Sequence, residues 1–209
     1  MTTKPKLTVG VVLFNGFATL DAAGPMQFFD QLHDEIETIT ISHESRIVYS
    51  VPPNGGCPMM ANYTFENTPP LDILLLPGGL GCRTLFHDPR YQEFILAQSK
   101  RVKYILTVCT GSGFLAATGL LNGKRATTNK KAFREIEKLS SAVLWVQHAR
   151  WVVDGNIWTS SGVTAGMDMV YAFLTMLFGT ERLKIVLEII EYTPSCDDTH
   201  DPFAYLADA

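Results

Sequence analysis

Apolar residues in this chain fall into two rhythms. Short, nearly unbroken runs end at Gly, Pro or Asn, and between them lie longer stretches with apolar positions three and four apart. Runs of the first kind read as buried strands and stretches of the second as helices. Leu7 to Phe14 has the two-faced apolar character of a central parallel strand and is broken by Asn15-Gly16. A helix follows over Leu20 to Leu32, with Gly24-Pro25 near its start, where proline is tolerated. Glu37 to Ile41 and Arg46 to Val51 read as short strands, and Pro52 to Gly56 as a turn. Leu71 to Leu76 is a buried strand closed by Pro77-Gly78-Gly79. Asp88 and Pro89 suit the N-cap and first position of a helix running to about Lys100.

Strand Val102 to Val108 and a helix after Cys109 follow. Lys124 to Thr127 reads as a strand and Lys130 to Leu139 as a helix. Val143 to Val146, Arg150 to Val153 and Asn156 to Ser160 read as strands, the last two joined at Asp154-Gly155, a strong hairpin signal. Ala165 to Phe178 and Glu181 to Glu191 read as helices, and the polar tail from Pro194 as surface. This alternation predicts an α/β fold in which helices cover both faces of a mostly parallel sheet. No linker or repeat interrupts it, so residues 1–209 are expected to form one domain. Ligands in such a sheet bind outside the carboxyl ends of the strands. Three loops leave such ends: Asn15 to Asp21, Pro77 to Cys82, and Cys109-Thr110.

Composition narrows the class. With 46% hydrophobic and 18% charged residues, the chain suits a compact globular protein. A net charge of −4 and the lack of a basic block argue against nucleic-acid binding. No run approaches a membrane span, and Met1 to Lys6 lacks the apolar core of a signal peptide. Cys57, Cys82, Cys109 and Cys196 show no CxxC spacing, which suggests neither a metal site nor a disulfide pair. A reducing, cytoplasmic setting is expected.

The segment Tyr104 to Gly119 carries the chemistry. A strand ends at Cys109, small residues follow, and a helix begins. A nucleophile at such an elbow is exposed at the sheet edge, and the helix amino end would lower its pKa. Asp21, opening the helix after the first strand, is either an N-cap or a carboxyl placed over Cys109 to exchange protons with it. There it would have a raised pKa and could stay protonated. Gly78 and Gly79 could turn N–H groups toward a ligand as an oxyanion hole, and the Thr110 N–H could join them while its hydroxyl orients water. Asn129 stands in a loop where a peptidase-like site would want a histidine. His33, His43, His87, His148 and His200 read as core or surface residues. Thr164, in Gly162 to Asp168, is read as an N-cap on a loop lining the same pocket.

Leu20 to Pro25, Leu76 to Gly79, Val108 to Ser112, Arg125 to Thr128 and Ser161 to Asp168 together resemble the ThiJ/PfpI superfamily, over about residues 6 to 191. Asp21 paired with Cys109-Thr-Gly-Ser is most similar to the isonitrile hydratase branch, which overlaps the amidase-like domains of certain transcription regulators. The resemblance implies a flavodoxin-like three-layer sandwich and a homodimer, with no cofactor and no metal. It implies Cys109 as nucleophile, Asp21 as acid/base partner, and Thr110 with Gly78 and Gly79 completing the pocket. The substrate is then a small electrophile, an isocyanide hydrated to an N-substituted formamide. Many hydratase-like members carry His where Asn129 stands, and its absence removes the pair needed for peptidase-like chemistry. Two other readings are weighed. A glutathione-independent glyoxalase usually carries Glu at position 21 and a nearby His. A cysteine redox sensor would share the same low-pKa thiol. A self-contained DNA-binding regulator is not expected, since no helix-turn-helix segment follows.

Overall fold

A computed structural model describes residues 5–43 and 46–208. Met1 to Lys4, part of the segment read as lacking a leader, lie outside the described residues. The central sheet is built from β1 (Leu7–Val12), β2 (Ile36–Ile41), β5 (Ile73–Leu76), β6 (Tyr104–Thr107), β9 (Trp151–Asp154) and β10 (Ile157–Ser160). Between them, β3 (Ile47–Val51) and β4 (Gly55–Met60) form an antiparallel ribbon, and β7 (Arg125–Ala126) and β8 (Leu144–Trp145) a short parallel pair. The helices are α1 (Thr19–Asp30), α2 (Cys82–Leu85), α3 (Pro89–Ser99), α4 (Ser112–Ala117), α5 (Phe133–Glu137), α6 (Val163–Phe178) and α7 (Thr180–Ile190).

The sheet order is β2-β1-β5-β6-β10-β9. All neighbours are parallel except the β9–β10 hairpin at Asp154-Gly155. This is the flavodoxin-like order, and the expected α/β architecture is present. Its strand order reverses between β1 and β5, which opens a crevice at their carboxyl ends. Val9, Val11, Leu74 and Leu75 in the two strands are fully buried, as expected where both faces are covered. α1 packs on α6 and α6 on α7, whereas α3 and α4 pack together. Phe114 of α4 meets Phe14, Phe86 and Tyr91 at ring centroids of 5.7, 5.2 and 5.9 Å. That aromatic cluster ties the helix after Cys109 to the end of β1.

Four features differ from the sequence reading. Pro25 lies inside α1 rather than near its start, so residue 25 offers no N–H to the Asp21 carbonyl. β4 was hidden in a Gly- and Pro-containing segment that shows no alternation. Lys130 to Leu139 splits into a 3₁₀ turn at Lys130–Ala132 and the short α5. The tail does not simply lie on the surface: Asp201, Ala204 and Ala207 are buried. Asp201 donates its N–H to the His148 carbonyl, and Arg150 donates to the Asp198 carbonyl. Beneath the tail lies a buried charged cluster. Arg150 pairs with Asp168, which also accepts from Tyr192 Oη at 2.6 Å and Ser195 N at 2.9 Å.

Candidate active site

The turn after β6 places Cys109 at φ +58°, a left-handed conformation that costs a non-glycine residue about 1–3 kcal/mol. Neighbouring strand ends hold it there. Cys109 N donates to Ser161 O at 3.0 Å, and Thr128 Oγ1 donates to Cys109 O at 2.9 Å. Gly111 N closes the turn on Val108 O at 2.9 Å. The elbow expected from the sequence is therefore present, built where β5, β6 and β10 end.

Asp21 reaches this elbow from the first turn of α1. It is not an N-cap: that position is Ala18, which makes no side-chain cap. Asp21 is fully buried, and its Oδ2 accepts the Gly78 N–H at 2.9 Å. Oδ1 has no hydrogen-bond partner among the described residues, and the Cys109 thiol is near enough to pull on the carboxyl's proton. Burial pushes the Asp21 pKa up to about 7, against the lowering pull of the Gly78 N–H and the Cys109 thiol. A buried carboxyl lacks water to stabilise its charge and therefore keeps its proton longer.

The low thiol pKa expected for Cys109 is not found. Burial pushes the thiol upward, and the Asp21 charge pushes the same way. The Thr110 backbone N–H and hydroxyl face the sulfur and oppose this without overcoming it. The helix behind the sulfur is short: α4 has six residues and begins only at Ser112, after a 3₁₀ turn. Its dipole is too small and too distant to outweigh desolvation. At neutral pH the pair therefore holds a proton on sulfur and a second one partly on Asp21.

The glycine loop also works differently from the expectation. Gly78 and Gly79 do not offer free N–H groups for an oxyanion hole. Gly78 N–H is taken by Asp21, and Gly79 N–H by Thr110 Oγ1 at 3.0 Å. They hold the Asp21 and Thr110 side chains in place instead. Gly79 has φ +134° and bridges to Phe17, while Gly78 O accepts from Ala18 N at 2.8 Å. The loops after β1 and β5 are thus zipped together. A Cβ on Gly78 would sit 2.6 Å from Thr110 N and 3.0 Å from Asp21 Oδ2. Gly78→Ala is expected to displace both groups and lower kcat/KM about 100-fold, since ångström-scale misplacement has such effects. An unchanged rate constant with intact circular dichroism would refute the lock.

Cys82, not singled out by its sequence context, belongs to this arrangement. Its thiol donates to Gly79 O at 2.8 Å and lies 3.0 Å from Thr110 Oγ1. Burial raises its pKa to about 11. The only hint in the sequence is its place in the loop after β5. Thr164 is exposed and is not the N-cap of α6, a position that Gly162 fills. It does line a cavity of about 240 Å³ beside the elbow, together with Asn129 and Ser161. His87 is exposed, and His43 packs against Phe65 and Tyr91. Among the described residues no three His, Cys, Asp or Glu side chains are grouped to hold a metal ion. No helix there is long and apolar enough to cross a membrane.

The model of the DJ-1/PfpI family matches residues 7–176. The chain belongs to the DJ-1/PfpI family. Among its DJ-1/PfpI relatives, an isonitrile hydratase of Pseudomonas putida is 33% identical over 90% of this chain and 80% of its own. The HTH-type transcriptional regulator GbdR of Pseudomonas aeruginosa is 26% identical, matched over 88% of this chain and half of its own length. A THiJ/PfpI family protein from Pseudomonas syringae superposes with a TM-score of 0.82 at 27% identity, covering 92% of this chain and 78% of that one. The family match and the superposition thus agree on the fold.

Proposed function

We propose that this protein hydrates an isocyanide to an N-substituted formamide, with Cys109 as nucleophile and Asp21 as its proton carrier. The observation that carries the reading is the buried carboxyl of Asp21, raised to about 7 and set against the Cys109 thiol. Similarity to the Pseudomonas putida isonitrile hydratase supports the same choice. The terminal carbon of an isocyanide must accept both a nucleophile and a proton. A thiol that keeps its proton, beside a carboxyl that gives and takes one near neutrality, can supply the two together.

In the first step the Asp21 carboxylate takes the thiol proton as sulfur bonds to the terminal carbon. The same proton then passes from Asp21 to that carbon, giving the thioimidate R–N=CH–S–Cys109. The Thr110 N–H, facing the sulfur, stabilises the charge that develops there. In the second step water adds to the carbon. One of its protons passes through Asp21 to the nitrogen, giving R–NH–CH(OH)–S–Cys109. The C–S bond then breaks, the hydroxyl proton returns to sulfur, and R–NH–CHO leaves. One isocyanide and one water make one formamide. Asp21 and Cys109 end as they began.

The test is to give the protein cyclohexyl isocyanide and, separately, methylglyoxal without glutathione, and to follow products by proton NMR. Formamide without lactate is expected. Lactate without formamide would overturn the reading in favour of glyoxalase-type chemistry.

A further inference from the structure

The chemistry above uses Cys109, Asp21 and the Thr110 N–H. It leaves unused a second buried thiol of the same arrangement. Cys82 is fully buried at the start of α2, and burial raises its pKa to about 11. At neutral pH it keeps its proton and is a donor rather than a rival nucleophile. Hydrogen bonds join it to the elbow in a closed ring. The Cys82 thiol donates to Gly79 O at 2.8 Å, Gly79 N donates to Thr110 Oγ1 at 3.0 Å, and Thr110 Oγ1 lies 3.0 Å from Cys82 Sγ.

The ring bears on where the Thr110 hydroxyl sends its proton. Thr110 is buried, so that single proton needs an acceptor inside the protein. Gly79 O lies 3.4 Å from the hydroxyl, long for such a bond. Both lone pairs of Gly79 O are also met already, by the Cys82 thiol and by Arg83 Nη1 at 3.2 Å. The Cys82 sulfur is neutral and a weak acceptor. The Cys109 sulfur is close enough for the hydroxyl to oppose the rise of its pKa. It becomes a charged acceptor as it attacks, and hydrogen bonds to charged groups are the stronger ones.

We infer that Cys82 is a positioning residue for the nucleophile: by occupying Gly79 O, its thiol keeps the Thr110 hydroxyl for the Cys109 sulfur. The inference rests on the hydratase reading for the role of Cys109. Cys82 itself touches no reacting atom and acts through Thr110.

The test is the rate at which iodoacetamide alkylates Cys109 at pH 8, which needs no turnover. The rate is read from the Cys109 peptide by mass spectrometry, so the exposed Cys57 and Cys196 do not contribute. Cys82→Ala and Cys82→Val both remove the donor, and valine keeps the space filled, so either one carries the test if the other fails to fold. Cys82→Ser keeps a donor. Asp21 and Arg83, whose charges act on these sulfurs, are retained in every variant. Losing the donor should slow alkylation about fivefold, the effect of one hydrogen bond to an ionised group after the higher reactivity of a more basic thiolate offsets about half of it. Serine should restore most of the rate. In a Thr110→Val background, where no hydroxyl remains to be steered, Cys82→Ala should change nothing further.

Alkylation that is equal in the wild type, Cys82→Ala and Cys82→Val, or undetectable even in the wild type, would overturn the inference. So would a slowing that serine does not relieve, or one that persists in full without the Thr110 hydroxyl. Turnover of cyclohexyl isocyanide is measured alongside. The expected alkylation pattern without wild-type turnover would leave the role of Cys82 and remove the hydratase reading. Turnover with equal alkylation would remove the role of Cys82 alone.

Discussion

Asp21→Asn is expected to lose about 10²–10⁴-fold in kcat/KM, the usual contribution of a positioned acid–base group, while becoming the more stable protein above neutral pH. Asparagine can still accept the Gly78 N–H and remain against the sulfur, but it cannot carry the proton between sulfur and carbon. The stability gain follows from the raised carboxyl pKa, from the ordinary 3.8 to about 7. Below about 3.8 the group is protonated both folded and unfolded, and its burial carries no charge penalty. As pH rises from there through about 7, the unfolded chain gives up its proton first, and the folded state loses stability. The full loss is on the order of 4 kcal/mol, at 1.36 kcal/mol per pH unit. Asparagine stays neutral throughout.

The variant should therefore melt above the wild type at pH 8, and the gap should close as pH approaches 4. Thermal melts across that range check it. A gap that is constant with pH would contradict the burial argument. The activity profile follows from the same proton. The rise of wild-type kcat/KM with pH, centred near 7 where Asp21 ionises, should vanish in the variant.

Cys109→Ala is expected to reduce formamide formation to the uncatalysed rate and leave the fold in place. Alanine meets the same backbone cost at φ +58° as cysteine does, and the bonds from Ser161, Thr128 and Gly111 that hold the turn are all made by backbone or by neighbours. What disappears is the sulfur through which, in the proposed mechanism, two easier steps replace one hard one. Cys82 cannot substitute. Its thiol points into Gly79 O and Thr110 Oγ1, and burial holds its pKa near 11.

Much of the site was legible because its signals are local. The apolar run into Cys109, the small residues after it and the helical pattern beyond mark the elbow without reference to anything distant. Asp88, which accepts from Arg90 N at 2.9 Å, and the Asp154-Gly155 hairpin were legible for the same reason. The rest depends on contacts between distant parts of the chain. That the Gly78 and Gly79 N–H groups would be consumed by Asp21 and Thr110 could be seen only once the loops after β1 and β5 were side by side. The raised thiol pKa needed the burial of Cys109 and the nearness of Asp21, neither of which is written in residues 104–119. The polar tail hides its buried Asp201 because the Lys130 and Arg150 it faces come from two other segments, at 3.9 Å each.

The most direct measurement mixes the wild type and Cys109→Ala proteins with excess cyclohexyl isocyanide, acid-quenches at short times, and weighs the Cys109 peptide while formamide is measured in the same samples. The wild type should gain one isocyanide on that peptide and release formamide, and the alanine variant should do neither. Formamide produced by Cys109→Ala at the wild-type rate, or none produced by the wild type, would contradict the account.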